Sequence, residues 1–175
     1  MPGNIVLVGF SGSGKSTVGR IVATRAGRSF LDVDEEIVSR LGMPIGEAFS
    51  RLGQAHFRDV EAHVVADACG RDGWIIALGG GALERDANLA AARTGNVLVR
   101  LDASPDEILR RLFAAQATEE RPMLRGDDPL GLITRLLLER EPRYVLADHS
   151  FSTDGRTPDE VAELILAAVA IPDGR

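Results

Sequence analysis

Residues 5–17 read Ile-Val-Leu-Val-Gly-Phe-Ser-Gly-Ser-Gly-Lys-Ser-Thr, and no other stretch leaves the chain so little freedom. Four aliphatic residues in a row, Ile5–Val8, predict a strand buried on both faces. From Ser16 to Ala26 the apolar residues Val18, Ile21, Val22 and Ala26 fall on one helical face. Between strand and helix stand Gly9, Gly12 and Gly14, which let the backbone curl where side chains would forbid it. Gly9-x-x-x-x-Gly14-Lys15-Ser16 matches the phosphate-binding P-loop pattern at every fixed position. In such a loop successive N–H groups point inward at phosphate oxygens, and the following helix offers its positive end to the same anion. Gly12, Ser13, Gly14, Lys15, Ser16 and Thr17 are therefore the candidate nucleotide-binding residues. Lys15 would bridge the outer phosphates, and the Ser16 hydroxyl would face Mg²⁺.

The rest of the chain alternates short apolar runs with longer helical patterns. Strands are expected at Ser29–Val33, Trp74–Leu78, Asn96–Leu101 and His149–Ser152. Helices are expected over Glu35–Leu41, Pro44–Gly53, Gln54–Cys69, Glu84–Arg93, Ser104–Ala115, Pro129–Leu146 (interrupted by Pro142) and Pro158–Ala170. Five strands alternating with helices predict an α/β fold in three layers, a parallel sheet with helices on both faces. At 175 residues the chain suits one domain, 1–175. The polar segment at about 113–127 breaks the helical pattern and is expected to form a mobile lid.

Acidic residues outnumber basic ones by 26 to 20, a net charge of −6, and the arginines are scattered. This argues against a nucleic-acid partner, which would need a concentrated basic face. The single cysteine, Cys69, allows no disulfide within the chain and is expected to be a buried, inert thiol. No run of about 20 apolar residues predicts a membrane span, and no signal peptide is evident in "MPGNIVLVGF". A cytoplasmic location is expected. His56, His63 and His149 have no zinc-binding spacing and are read as structural or surface residues.

Several further clusters suggest what receives the phosphate. Asp32 and Asp34 stand two apart at the end of the second predicted strand, so a period of two would put both carboxylates on one face. One would hold a metal-bound water and the other an acceptor hydroxyl, or the pair would simply cap a helix start. Arg58 and Glu61 lie three apart on a helix. They form either a substrate-carboxylate grip with its support or a plain surface ion pair. Gly79-Gly80-Gly81 follows the third predicted strand, where it serves as a close-approach loop to a ligand or as a flexible turn. Arg121, beside Pro122, would close over the triphosphate or sit in a solvated loop. Arg140 would supply a second grip on an anionic substrate.

Taken together, "GFSGSGKST", "LDVD", "FRDVE", "LGGGA", Arg121-Pro122 and "REPRY" from Arg140 resemble the shikimate kinase family in order and spacing, over about Ile5 to Pro158. The resemblance implies a P-loop kinase of nucleoside-monophosphate-kinase-like fold, sheet order 2-3-1-4-5, with an acceptor-binding region at about 33–61. It implies ATP as phosphate donor, Mg²⁺, shikimate as acceptor through its 3-hydroxyl, and a monomer. Asp34 would touch the reacting hydroxyl as base, and Asp32 would join Ser16 at Mg²⁺. Arg58 and Arg140 would hold the shikimate carboxylate, with Glu61 supporting Arg58. Gly79, Gly80 and Gly81 would line the ring. Lys15 and Arg121 would stabilise the transferring phosphoryl, and Arg111 and Arg156 would flank adenine. Arg143 and Leu146 depart from the family's R-x-P-L-Y followed by an acid.

Two other functions share parts of this pattern. A kinase of another small hydroxy acid such as gluconate would use the same loop and fold. A non-catalytic sensor of shikimate or nucleotide would more naturally have lost Lys15 or one of the aspartates, and this chain keeps them all.

Overall fold

The computed structural model describes residues 3–115 and 126–170. Its strands are β1 (Ile5–Val8), β2 (Ser29–Asp32), β3 (Trp74–Ala77), β4 (Val97–Asp102) and β5 (His149–Ser152). They form one sheet in the order β2-β3-β1-β4-β5, and every neighbouring pair is parallel. The helices are α1 (Lys15–Ala26), α2 (Val33–Leu41), α3 (Ile45–Cys69), α4 (Asp86–Arg93), α5 (Pro105–Ala114), α6 (Pro129–Tyr144) and α7 (Pro158–Ala170).

Strand β1 lies at the centre, which is why its four residues are all apolar and all buried. Its side chains divide by alternation: Val6 and Val8 enter one core with residues of α2 and α3, while Ile5 and Leu7 enter a second with residues of α1 and α7. A third, smaller core joins Phe10 to Ile108 and Leu112 of α5 and to Ile133 of α6. Helix α1 packs hard on the sheet. A Cβ at Gly19 would stand 2.5 Å from the Phe30 ring, so only glycine admits this approach. Because every strand runs the same way, the loops after β1, β2 and β3 gather at one edge, where ligands of open parallel sheets bind.

Several boundaries differ from the sequence expectation. Strand β2 stops at Asp32, because the Asp32 side chain accepts from the N–H groups of Asp34 and Glu35 and starts α2 there. Asp34 therefore lies in the first turn of a helix, not on a strand face. The two helices expected between Pro44 and Cys69 form one bent element, with the bend at Gly53 (φ 79°, ψ 159°). The helix expected from Glu84 begins as a 3-10 turn, Ala82–Glu84, before α4. Pro142 does not break α6; it lies in the last turn, where only one ladder bond is forfeited. Of the expected lid, Phe113 and Ala114 belong to α5. Residues 116–125, with Arg121 among them, lie outside the described residues.

Candidate active site

The donor side is built by one continuous piece of backbone. Gly14, at φ 95°, caps α1 in the left-handed region, which a side chain would strain. The N–H groups of the first turn beyond it have no carbonyl of their own helix to pair with. The Lys15 ammonium is buried and folded under the loop, donating to the carbonyls of Gly9 and Phe10, each at 2.8 Å. Ser13 is fully buried, and among the described residues its Oγ has no hydrogen-bond partner. The Ser16 hydroxyl donates to Asp32 Oδ2 at 2.5 Å. Asp32 thus does two things at once: Oδ1 caps α2 and Oδ2 meets Ser16. Two oxygen donors converging beside an anion cradle suit a hard cation such as Mg²⁺.

The acceptor side is assembled from distant side chains. A cleft of about 690 Å³ adjoins the loop, and Asp34, Arg58, Glu61, Gly79–Gly81 and Arg140 all line it. This is an ordinary volume for a small-molecule site. Its apolar wall comes from Phe10, Phe49 and Phe57, whose latter two rings stack at 4.2 Å. The glycine turn is needed for closeness. A Cβ at Gly79 would meet Asp34 Oδ1 at 2.6 Å, and one at Gly81 would meet Arg58 Nη2 at 2.8 Å. Arg58 donates to Glu61 Oε2 at 2.8 Å and lies near the faces of both Phe49 and Phe57. Burial pushes the Glu61 carboxyl above its ordinary value even though Arg58 pulls it down. Arg140 lies over the Phe10 ring and bonds Glu84 Oε1 at 2.8 Å.

A family model described as "Shikimate kinase" matches residues 11–170. A shikimate kinase of Moorella thermoacetica is 44% identical over 169 residues, covering 97% of this chain and 95% of the relative. The chain belongs to the shikimate kinase family. A solved Acinetobacter baumannii shikimate kinase, captured in complex with shikimate, superposes at TM-score 0.93. It is 31% identical, with 100% of this chain and 97% of that chain covered. A Sinorhizobium meliloti gluconokinase reaches TM-score 0.63 at 23% identity over 97% and 92% of the two chains, a likeness of fold alone. Membership in the shikimate kinase family makes this protein an ATP-dependent kinase and sets aside the sensor and gluconate readings.

The remaining expectations divide. Arg111 bonds Thr153 Oγ1 at 2.9 Å and the Thr153 carbonyl at 3.0 Å, and it reaches the Gly12 carbonyl at 3.3 Å. Arg156 donates to the Ser152 carbonyl. The two arginines therefore flank one β5 loop beside the P-loop. Arg110 and Arg111 together hold the Glu107 carboxyl down at about 2. Arg143 pairs with Asp86 on α4 at 2.6 Å. Cys69 is buried, and burial raises its thiol to about 11, as an inert thiol requires. His56 and His63 are exposed, and among the described residues no cluster suits a metal ion of the His/Cys/Asp/Glu kind. No described helix is long and apolar enough to cross a membrane.

Sequence reasoning missed two residues. The Tyr144 hydroxyl donates to the Gly80 carbonyl at 2.6 Å and pins the glycine turn. Glu84 stands between Arg58 and Arg140. Tyr144 had a signal, since a lone tyrosine in a polar helix end invites the question of what its hydroxyl meets. Glu84 had none, because its partners are far away in sequence.

Proposed function

We propose that this protein transfers the γ-phosphoryl group of ATP to the 3-hydroxyl of shikimate. The observation that carries the reading is the convergence on one cleft, beside the P-loop, of a carboxylate (Asp34) and two arginines (Arg58 and Arg140). A hydroxyl acceptor needs the first, and an acid needs the second.

The P-loop from Gly12 to Thr17 binds the phosphates, and Lys15 leaves its loop carbonyls to meet their charge. Ser16 and Asp32 hold Mg²⁺, which supplies neutralisation of phosphate charge when bound. Asp34, held against Gly79, orients the hydroxyl and takes its proton. Arg58 and Arg140 hold the shikimate carboxylate, with Glu61 fixing Arg58. Gly80 and its neighbours line the ring. Arg121 stabilises the transferring phosphoryl, and Arg111 and Arg156 flank adenine. Phosphoryl transfer has a loose transition state, so placement and charge carry most of the rate. We assign these roles within one domain, 1–175, acting as a cytoplasmic monomer without a nucleic-acid partner.

The test is a coupled ADP-release assay with Mg-ATP, comparing shikimate, quinate, gluconate and nucleoside monophosphates. Turnover with shikimate alone is expected. Turnover only with another acceptor would overturn the acceptor assignment and leave the kinase.

A further inference from the structure

The two arginines assigned to the acceptor's carboxylate already share one carboxylate, that of Glu84. Its Oε1 accepts from Arg140 Nε at 2.8 Å, and its Oε2 lies 3.6 Å from Arg58 Nη2. A Cβ built on Gly81 would stand 2.8 Å from Arg58 Nη2, 3.1 Å from Glu84 Oε1 and 3.2 Å from Arg140 Nη2. The three side chains thus meet above the glycine turn. Their exposures differ: the Arg58 and Arg140 side chains are 22% and 12% exposed, whereas Glu84 is 45% exposed.

Charge makes this arrangement consequential. With all groups ionised, the cleft lining carries Arg58 and Arg140 against Asp34, Glu35 and Glu61, and Glu84 pairs with both arginines beside it, two cations against four anions. An acid entering such a site meets no net attraction. Glu61 cannot leave, because it is buried beneath Arg58. Asp34 is needed at the hydroxyl. Of the carboxylates paired with these arginines, Glu84 alone has solvent to turn into.

We propose that Glu84 is a specificity-determining residue. Its carboxylate holds the fork of Arg58 and Arg140 in the free protein and gives way to the carboxylate of the acceptor. The inference rests on the reading of an acidic acceptor given above. A neutral analogue cannot displace Glu84 and gains nothing from its removal. An acid must compete with it, so acceptor affinity carries a built-in discount equal to the worth of a half-exposed ion pair.

The test compares the unaltered protein with Glu84→Gln and Glu84→Ala. The probe is cyclohexanecarboxylate, a ring acid with no hydroxyl to phosphorylate. Binding is followed through the arginine side-chain Nε–Hε resonances. Both variants should bind the probe about two- to five-fold more tightly, the range that an exposed pair of this kind commands. Shikimate KM should fall by a similar factor, with less change in kcat, and cyclohexylmethanol should bind all three proteins alike. Equal or weaker binding of the acid by the variants overturns the proposal and makes Glu84 a support for Arg140. No arginine response in any of the proteins overturns it together with the arginine grip. Shikimate turnover by the unaltered protein reports separately. Turnover without a gain in the variants sinks the Glu84 proposal alone. A gain for the probe without shikimate turnover sinks the acceptor identity alone.

Discussion

The donor and acceptor halves of the cleft are made in opposite ways. The donor half is contiguous backbone: one loop and the first turn of α1, with Lys15 held by the carbonyls of its own loop. The acceptor half is side chains from α2, α3, the glycine turn and α6, held by ion pairs and one tyrosine. The first binds what every phosphate donor shares and is local apart from Asp32 at Ser16 and Arg111 at the Gly12 carbonyl. The second must recognise one particular acid, so it draws charge from across the chain and depends on the whole fold for its geometry.

The largest effect that would test this division is expected at Asp34. Asp34→Asn keeps the shape and removes the charge, so kcat should fall by about 10² to 10⁴, the range for a general base. ATP affinity, measured by equilibrium titration, should change by less than about two-fold, since its binding belongs to the other half. If ATP binding fell as far as turnover, the two halves would not be separable.

The two arginines sharpen the comparison within the acceptor half. Arg58→Ala leaves Glu61 buried and without its cation, whereas the carboxylate that Arg140→Ala releases, Glu84, is half-exposed. Either change should raise shikimate KM by about 30-fold or more, as expected for truncating one partner of a buried charge pair. Only Arg58→Ala should also lower Tm markedly, because it alone strands a buried carboxylate. Equal Tm losses in the two variants would contradict the different burial of their partners.

A smaller change is expected at Tyr144. Its hydroxyl is buried against the Gly80 carbonyl, and burial raises it to about 12. Tyr144→Phe should cost about 1 kcal/mol, a typical single hydrogen bond. That corresponds to roughly 2–4 °C in Tm for a domain of this size. Acceptor KM should rise while ATP affinity stays, because the bond pins only the glycine turn.

The same division explains what was legible in the sequence. The P-loop was complete because its chemistry is local, and the positions of β1, β3 and β4 followed from apolar runs set by burial. Asp32 lies at the end of the second strand as expected and caps the next helix, but Asp34 belongs to that helix and not to a strand face. Alternation describes strands, and Asp32 ends its strand by capping the next helix. The sheet order β2-β3-β1-β4-β5 came from family resemblance, since periodicity cannot order strands. Glu84 was invisible because its meaning lies in Arg58 and Arg140, on other elements.

The subtlest prediction concerns Glu61 and is read as a slope with pH. Burial lifts its carboxyl above the ordinary value of 4.5, with Asp34 and Glu84 adding to the rise and Arg58 opposing it. Folding therefore favours the protonated acid. That contribution is fully present below 4.5 and is lost as pH rises through the higher folded-state value. Glu61→Gln has no such titration, and its amide can still accept from Arg58. The Tm of the variant relative to the unaltered protein should accordingly climb as pH is raised from about 4.5 toward neutrality. Calorimetric melts at several pH values measure it directly. A Tm difference that stays flat, or falls with pH, would mean that Arg58 outweighs burial at this carboxylate. The acceptor half would then be stabilised by its charges, and not strained by them for the sake of recognition.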